Sequence, residues 1–468
     1  MSLRAFEKLA LLDAGLESRV NRAIVVGGGF AGVAAACRLA EEGHRTLLLE
    51  RSSHLGGRAS SFVDREMEET IDYGHHVSMA CCTASRGFLA RVGSSDAVRF
   101  QRELRIPLLC DEKPTILRSS LLPGPLHLAP SLLRYRPLSL RDRISVLRAG
   151  LALLVRRSSA DENLGAWLGQ QGQSEQAVAR LWNPITIATL NAPVDRVNTS
   201  AARQVFREAF FVPGGANMGL FTCPLSEIFE RARASLERQE GELRTQATVA
   251  RVTVEDGAVH GVALVNGETI EADAVVIAVP QDAAAELLAN HSELSEVSDA
   301  AAGLDSSSIV DVHLWFDRPV MKEAFVIAVD APIQTVFDLA QIHRTEASGS
   351  HLVVSQSAAD DWMNRSSEEI ARLTQDALRD LLPAARRSTC LRTRVIKHPR
   401  ATFVPTPGSD ALRPKARTPI DGLFLAGDWI ATGWPSTIEG AIRSGVAAAA
   451  HVEQFYELRD DCLEARRL

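Results

Sequence analysis

The chain opens its readable part with an unbroken apolar run, Ala23-Ile24-Val25-Val26, which stops at a cluster of glycines. The stretch after the glycines, Val33–Glu42, is rich in Ala and Leu and predicts a helix that Gly43 ends. Thr46–Glu50 (Thr-Leu-Leu-Leu-Glu) is a second apolar run. Runs without alternation suit strands covered on both faces, and strand, helix and strand within about 30 residues make a βαβ unit.

Residues 247–280 behave differently. Two alternating runs flank Asn266-Gly267, the pairing that favours a hairpin turn, and Ala274–Val279 then returns to the pattern of a buried parallel strand. Leu423–Asp428 (Leu-Phe-Leu-Ala-Gly-Asp) repeats the motif of a buried strand that stops at a glycine. One sheet assembled from three separated pieces follows. The expected architecture is α/β: a discontinuous Rossmann-type domain over 20–100, 216–292 and 411–455, with an inserted mixed α+β substrate domain over 101–215 and 293–410. A length of 468 residues agrees, because single cores rarely grow that far.

The turn after the first strand reads Gly27-Gly28-Gly29-Phe30-Ala31-Gly32, a G-x-G-x-x-G between strand and helix. Such glycines allow the tight turn (Gly27), the approach of backbone to a pyrophosphate (Gly29) and close helix packing (Gly32), with Phe30 and Ala31 opening the helix whose N-terminus attracts the phosphates. Glu50 comes 18 residues after Gly32 (50 − 32), at the end of the second strand, where an acid accepts adenosine ribose hydroxyls. Leu55-Gly56-Gly57-Arg58 supplies a second glycine turn with a cation, which favours FAD over NAD; Arg51 and Val249 join the cofactor-binding candidates. Gly427-Asp428 aims a carboxylate at a polyol such as a ribityl chain. Ser436 and Glu439, in Pro435-Ser436-Thr437-Ile438-Glu439, have capping-box spacing and predict a helix start beside the flavin pyrimidine ring, where its dipole would stabilise charge on reduced flavin.

These pieces, in this order, resemble the FAD-dependent amine oxidase and phytoene desaturase superfamily over about 23–80, 245–282 and 420–450. Within it the chain is similar to the squalene-associated branch, the hydroxysqualene dehydroxylases. That resemblance rests on Ile71-Asp72-Tyr73-Gly74-His75-His76, Leu181-Trp182-Asn183-Pro184 with Leu190-Asn191-Ala192-Pro193, Ala401-Thr402-Phe403, and Gly427-Asp428 through Gly445. The branch usually reads Asn-Gly-Gln-His where this chain reads Tyr73-Gly74-His75-His76, so no role transfers to Tyr73 or His75. The resemblance implies noncovalent FAD, a long apolar isoprenoid substrate, and hydride delivery from reduced flavin to the carbon bearing the hydroxyl of hydroxysqualene. His75 or His76 is the candidate acid for the leaving oxygen, against the alternative of a structural histidine. Trp182, Asn183, Phe403 and Trp434 are substrate-side candidates.

Charge changes the picture in one place. The whole chain carries −7, which argues against nucleic acid as a partner, yet 118–157 holds eight arginines against the single acid Asp142. Leucines and prolines interleave with them, as in Leu121-Leu122-Pro123, which suits an anionic membrane surface. The other reading is an amphipathic hairpin packed on its own domain. Seven cysteines without CxxC spacing suit a reduced compartment, and no run of about 18 apolar residues occurs. The expected location is cytoplasmic, peripheral on the inner face of the cell membrane. No metal-ligand spacing, G-x-S-x-G or Walker sequence is present. Carotenoid desaturases or isomerases, a nonenzymatic prenyl-lipid carrier of the GDP-dissociation-inhibitor type and amine oxidases remain as rivals.

Overall fold

The computed structural model describes residues 21–66, 68–110, 113–155, 160–345 and 349–465. Five parallel strands, Glu242–Arg244, Arg45–Leu49, Arg22–Val26, Ala274–Ile277 and Leu423–Leu425, lie side by side in that order. The apolar runs announce four of them; the fifth, Glu242–Arg244, is a short edge strand with no apolar signature.

Both faces of this sheet are covered, which explains its unbroken apolar strands. On one face the helix Phe30–Glu41 and the C-terminal helix Ile438–Ala465 build a core with Val33, Leu39, Phe229 and Ile442. On the other, Val252, Val262 and Leu288 pack beneath the antiparallel strands Val249–Glu255, Ala258–Leu264 and Thr269–Glu271. The Asn266-Gly267 turn closes the second hairpin, with Gly267 at φ +90°. A side chain such as Leu39, fully buried, contributes about 1.5–3 kcal/mol by leaving water.

A seven-stranded sheet stands apart from the first. Its strands come from 105–118 and 306–403, in the order Cys390–Phe403, Ser306–Phe316, His351–Ser357, Thr335–Asp338, Phe325–Ala328, Arg105–Cys110 and Lys113–Arg118. Along Ser306–Phe316 alternate side chains separate the two faces. Val310, Val312, Leu314 and Phe316 pack into a core with Ile370 and Leu378 of the helix Ser367–Leu381. Ile309 and Asp311 turn the other way and line a cavity.

Helices between 126 and 211 close the far side of that cavity. Helix Leu140–Val155 buries only Val146, Ala149 and Leu153. Leu140, Ile144, Leu151 and Val155 are exposed, and at about 100° per residue they share an arc of roughly 60°. Arg141 and Arg148, both exposed, lie along one edge of that arc. Leu140, Ile144, Leu151 and Val155 are therefore left outward, while Leu128, Leu138 and Leu153 of the same stretch pack into the core; Arg156 and Arg157 lie outside the described residues.

Candidate active site

The fingerprint behaves as its glycines require. Gly27 sits at φ +111°, and a Cβ there would lie 2.7 Å from the Ala278 carbonyl oxygen; at Gly32 it would lie 1.9 Å from the Gly27 carbonyl oxygen. Gly29 is open instead, with the nearest atom to a Cβ 4.0 Å away. The helix that begins at Phe30 has no side-chain cap, so its first backbone N–H groups lack intrahelical partners at a cavity wall formed by Gly27, Gly29, Phe30 and Ala31. This is the open, donor-rich terminus that a pyrophosphate fits. Gly32 is a packing residue behind that wall.

Glu50 is buried beside the turn, and its carboxylate accepts from the Gly28 N–H (2.7 Å), the Ser52 N–H (2.7 Å) and the Ser52 hydroxyl (2.5 Å). Arg58 joins distant segments: it donates to the Ala401 carbonyl (3.1 Å) and pairs with Asp428, which also accepts from the Ser436 hydroxyl. Arg51, Gly57, Val249, Gly427, Pro435, Thr437 and Ile438 all reach the same cavity wall.

The expected capping box does not form. Ser436 is committed to Asp428, and Glu439 accepts from the Ala84 and Ser85 N–H groups (3.0 and 2.7 Å), capping the start of the helix Thr83–Arg91. Thr437 caps its own helix instead, its hydroxyl accepting from the Gly440 N–H at 3.1 Å. Long-range partners thus claim both residues whose spacing suggested a local motif. Arg413 is a further residue that the sequence did not single out. Its buried guanidinium donates to the carbonyls of Asp428, Trp429, Ile430 and Trp434 and so fixes the loop below the helix.

The four substrate-side candidates divide. Trp434 is half-buried on the cavity wall under the Arg443 guanidinium. Asn183 lines the cavity while its side-chain oxygen accepts from the Val194 N–H. Trp182 also lines the wall, but it is fully buried, donates to Gln173 (2.9 Å) and packs on Phe206, which makes it a framework residue. Phe403 does not line the cavity; it is fully buried beneath Arg413, because the end of its strand turns into the core.

His75 and His76 both line the cavity, His75 against the Phe337 ring (4.7 Å between centroids) and His76 with Nδ1 at 3.0 Å from the Gly74 carbonyl. Burial drives the His75 imidazole well below its ordinary range and His76 down to about 4. Burial therefore favours the neutral form of both imidazoles. Asp311 stands directly against this motif: a Cβ on Gly74 would lie 2.2 Å from its Oδ2. Burial pushes the Asp311 carboxyl up to about 7, against a smaller pull from the Ser355 hydroxyl. The only sequence signal for it is one acid inside an otherwise strand-like Ile-Val-Asp-Val-His-Leu stretch.

The buried imidazoles carry a stability consequence. His76 and His313 are both held down to about 4 from 6.5, and His351 and His398 are lowered by burial as well. A depressed folded-state value means stability that is complete above 6.5 and lost as pH falls toward 4, by up to about 1.4 kcal/mol per group and pH unit. The raised carboxyls Asp72, at about 6, and Asp311 act oppositely but are fewer. Thermal unfolding followed by circular dichroism is expected to give a lower Tm at about pH 5 than at about pH 7; an unchanged or higher Tm would show that the imidazoles are not buried neutral.

The fingerprint loop, Glu50, Arg58, Asp428, His75, His76 and Asp311 share the wall of one cavity of about 1680 Å³. That exceeds the ~300–1,000 Å³ of ordinary ligand pockets and leaves room for a second large molecule beside a dinucleotide. Its polar end is the fingerprint; its other end is apolar, reaching Leu132, Leu147 and Phe211 and the exposed Leu126 and Leu151 at its rim.

The model of the family described as flavin containing amine oxidoreductase matches residues 30–453. The 15-cis-phytoene desaturase of Solanum lycopersicum is 24% identical over 93% of this chain and 78% of its own length. The hydroxysqualene dehydroxylase of Sinorhizobium fredii is 28% identical over 91% of this chain and 96% of its own. Among solved structures, the cyclohexylamine oxidase of Brevibacterium oxydans superimposes with a TM-score of 0.70 at 18% identity, covering 94% of this chain and 99% of that one. The chain therefore belongs to the flavin-containing amine oxidoreductase family and is an FAD-dependent oxidoreductase, with a Rossmann-type FAD domain joined to a substrate domain.

Proposed function

We propose that the protein removes the hydroxyl of hydroxysqualene reductively, forming squalene, and that it meets this substrate at an anionic membrane surface. The observation that carries the reading is one cavity that begins at the dinucleotide fingerprint and reaches the exposed Leu126 and Leu151, the latter on a helix that also exposes Arg141 and Arg148. The hydroxysqualene dehydroxylase relative supports it, since the match spans nearly the whole of that protein.

In this reading Gly27 and Gly29 and the N-terminus opened by Phe30 and Ala31 receive the pyrophosphate, with Gly57 and Arg58 on its far side. Glu50 and Arg51, with Val249, would hold the adenosine end, Gly427-Asp428 the ribityl chain, and Pro435 to Ile438 the flavin end. Bound reduced flavin supplies a hydride. The chain's own residues do the rest: the sheet face around Asp311 and the 126–211 helices orient a flexible hydrocarbon and exclude water. Among the described residues no helix is long and apolar enough to cross a bilayer, so approach to lipid is by the rim. Leu121, Leu122 and Leu126 are exposed, as is the stripe on helix Leu140–Val155, and Arg118, Arg134 and Arg136 of the same segment are exposed too. Apolar side chains ringed by arginines suit the acyl boundary and head groups of anionic lipid.

A desaturase acting on phytoene is the second reading, favoured by the phytoene desaturase relatives. Anaerobic incubation of the protein carrying chemically reduced FAD with hydroxysqualene separates the two. Squalene is the expected product. Unchanged hydroxysqualene, with desaturation of phytoene under oxidising conditions, would replace this reading by the second.

A further inference from the structure

We infer that Asp311 is the group that receives the substrate's hydroxyl and gives the leaving oxygen its proton. The inference deepens the dehydroxylase reading and rests on it.

Three geometric facts place Asp311 at the junction between the cofactor end and the apolar end of the cavity. Its carboxyl is pressed against Gly74, within the Tyr73–His76 stretch, so closely that only a glycine fits. Tyr73 in turn donates its backbone N–H to Ser60, at the end of the turn that carries Arg58, and its ring meets His398 at 5.3 Å. Across the sheet Asp311 is in register with Ser355 and, one strand further, Thr335, a polar row in an apolar wall. Beyond His75 on the other side stand Phe337 and Phe325.

The carboxyl is also incompletely satisfied. Asp311 is 3% exposed, lines the cavity, and its Oδ1 has no hydrogen-bond partner. A buried polar atom without a partner costs about 1–3 kcal/mol, and a substrate hydroxyl that presses into the wall far enough to reach this oxygen would remove that penalty. A pure hydrocarbon would not, which gives the site a reason to prefer an isoprenoid alcohol.

Protonation agrees with this placement. The titratable groups near Asp311 are His75 and His76 beside Gly74, His313 on its own strand and His398 on the next, and burial disfavours the charged form of each. The raised carboxyl is then the group whose proton is matched to neutral pH. In the balanced step the substrate's C–O bond breaks and a C–H bond forms with the hydride that the reduced flavin supplies. The oxygen takes the Asp311 proton and leaves as water, and the carboxylate is reprotonated from solvent.

The test compares wild type with Asp311→Asn and Asp311→Glu as holoenzymes. Infrared spectra give the protonated carboxyl band against pH, bound flavin is quantified, and squalene formation from hydroxysqualene is followed in a single anaerobic turnover. Wild type is expected to show a carboxyl band that titrates near neutral pH and a turnover rate that falls as pH rises through about 7. Asp311→Asn should keep its flavin, lose that band and the pH dependence, and turn over about a hundredfold or more slowly; Asp311→Glu should recover part of the rate. Full activity with an unaltered pH profile in Asp311→Asn, or a wild type without the titrating band, overturns the assignment alone. A wild type that makes no squalene overturns the dehydroxylase reading and the assignment with it.

Discussion

Replacing Arg134, Arg136 and Arg141 together with Gln is expected to weaken binding to anionic vesicles about a hundredfold while leaving turnover in detergent nearly unchanged. All three are exposed, on the segment 126–155 that also supplies Leu126 and Leu151 to the cavity wall. Arginines near anionic lipid contribute about 1 kcal/mol each, so three account for roughly two powers of ten. Arg143 is left in place even though it belongs to the same cluster: its guanidinium donates to the Leu133 and Leu138 carbonyls (both 2.8 Å), and removing it would loosen the helix start. High salt should mimic the substitutions, because exposed charges are screened within about 10 Å at 0.1 M. Co-sedimentation with vesicles of mixed neutral and anionic lipid reads the effect directly. Binding that ignores both salt and the substitutions would mean that the rim does not use these charges to meet lipid.

Glu50→Ala is expected to raise the Kd for FAD ten- to a hundredfold. A carboxylate has about four acceptor positions, and three here are taken by Gly28 and Ser52, so one remains for a ribose hydroxyl. Hydrogen bonds to charged groups are worth about 1.5–3 kcal/mol, which sets the range. Because the same carboxylate also shapes the fingerprint turn, Glu50→Gln is the informative partner: it keeps one acceptor and should fall between wild type and the alanine variant. Flavin retained on dilution is the measurement, with circular dichroism confirming that the strand pair survives. Wild-type retention in Glu50→Ala would remove Glu50 from the cofactor site.

The contrast between these two predictions reflects what short-range sequence can encode. The fingerprint, Glu50, the Asn266-Gly267 hairpin and the strand 423–425 were legible because each is a local device: a backbone conformation that demands glycine, a strand covered on both faces, a turn of fixed length. Family resemblance then added FAD, which the match over 30–453 bears out. The positive, leucine-rich stretch was legible as composition, but composition does not say which way a helix faces. Only the packed structure left Leu140, Ile144, Leu151 and Val155 outward and buried Val146, Ala149 and Leu153.

What the sequence by itself determined is thus the dinucleotide-binding βαβ unit, the three-piece sheet and the class of cofactor. Tertiary structure alone decided the pairings between distant residues: Arg58 with Asp428, Glu439 with the helix at Ala84, and Gly74 with Asp311. Ser436 and Glu439 had the right spacing for a capping box, yet each found a partner from another element, since a buried carboxylate satisfied by backbone donors outweighs a solvent-facing cap. Phe403 likewise reads as a channel aromatic until its strand end turns into the core. Asp311 is the clearest case, because one acid in a strand carries no local signal. Its meaning comes from burial by side chains contributed by strands far apart in the chain, and desolvation by those neighbours is a property of the fold rather than of any neighbouring residue in the sequence.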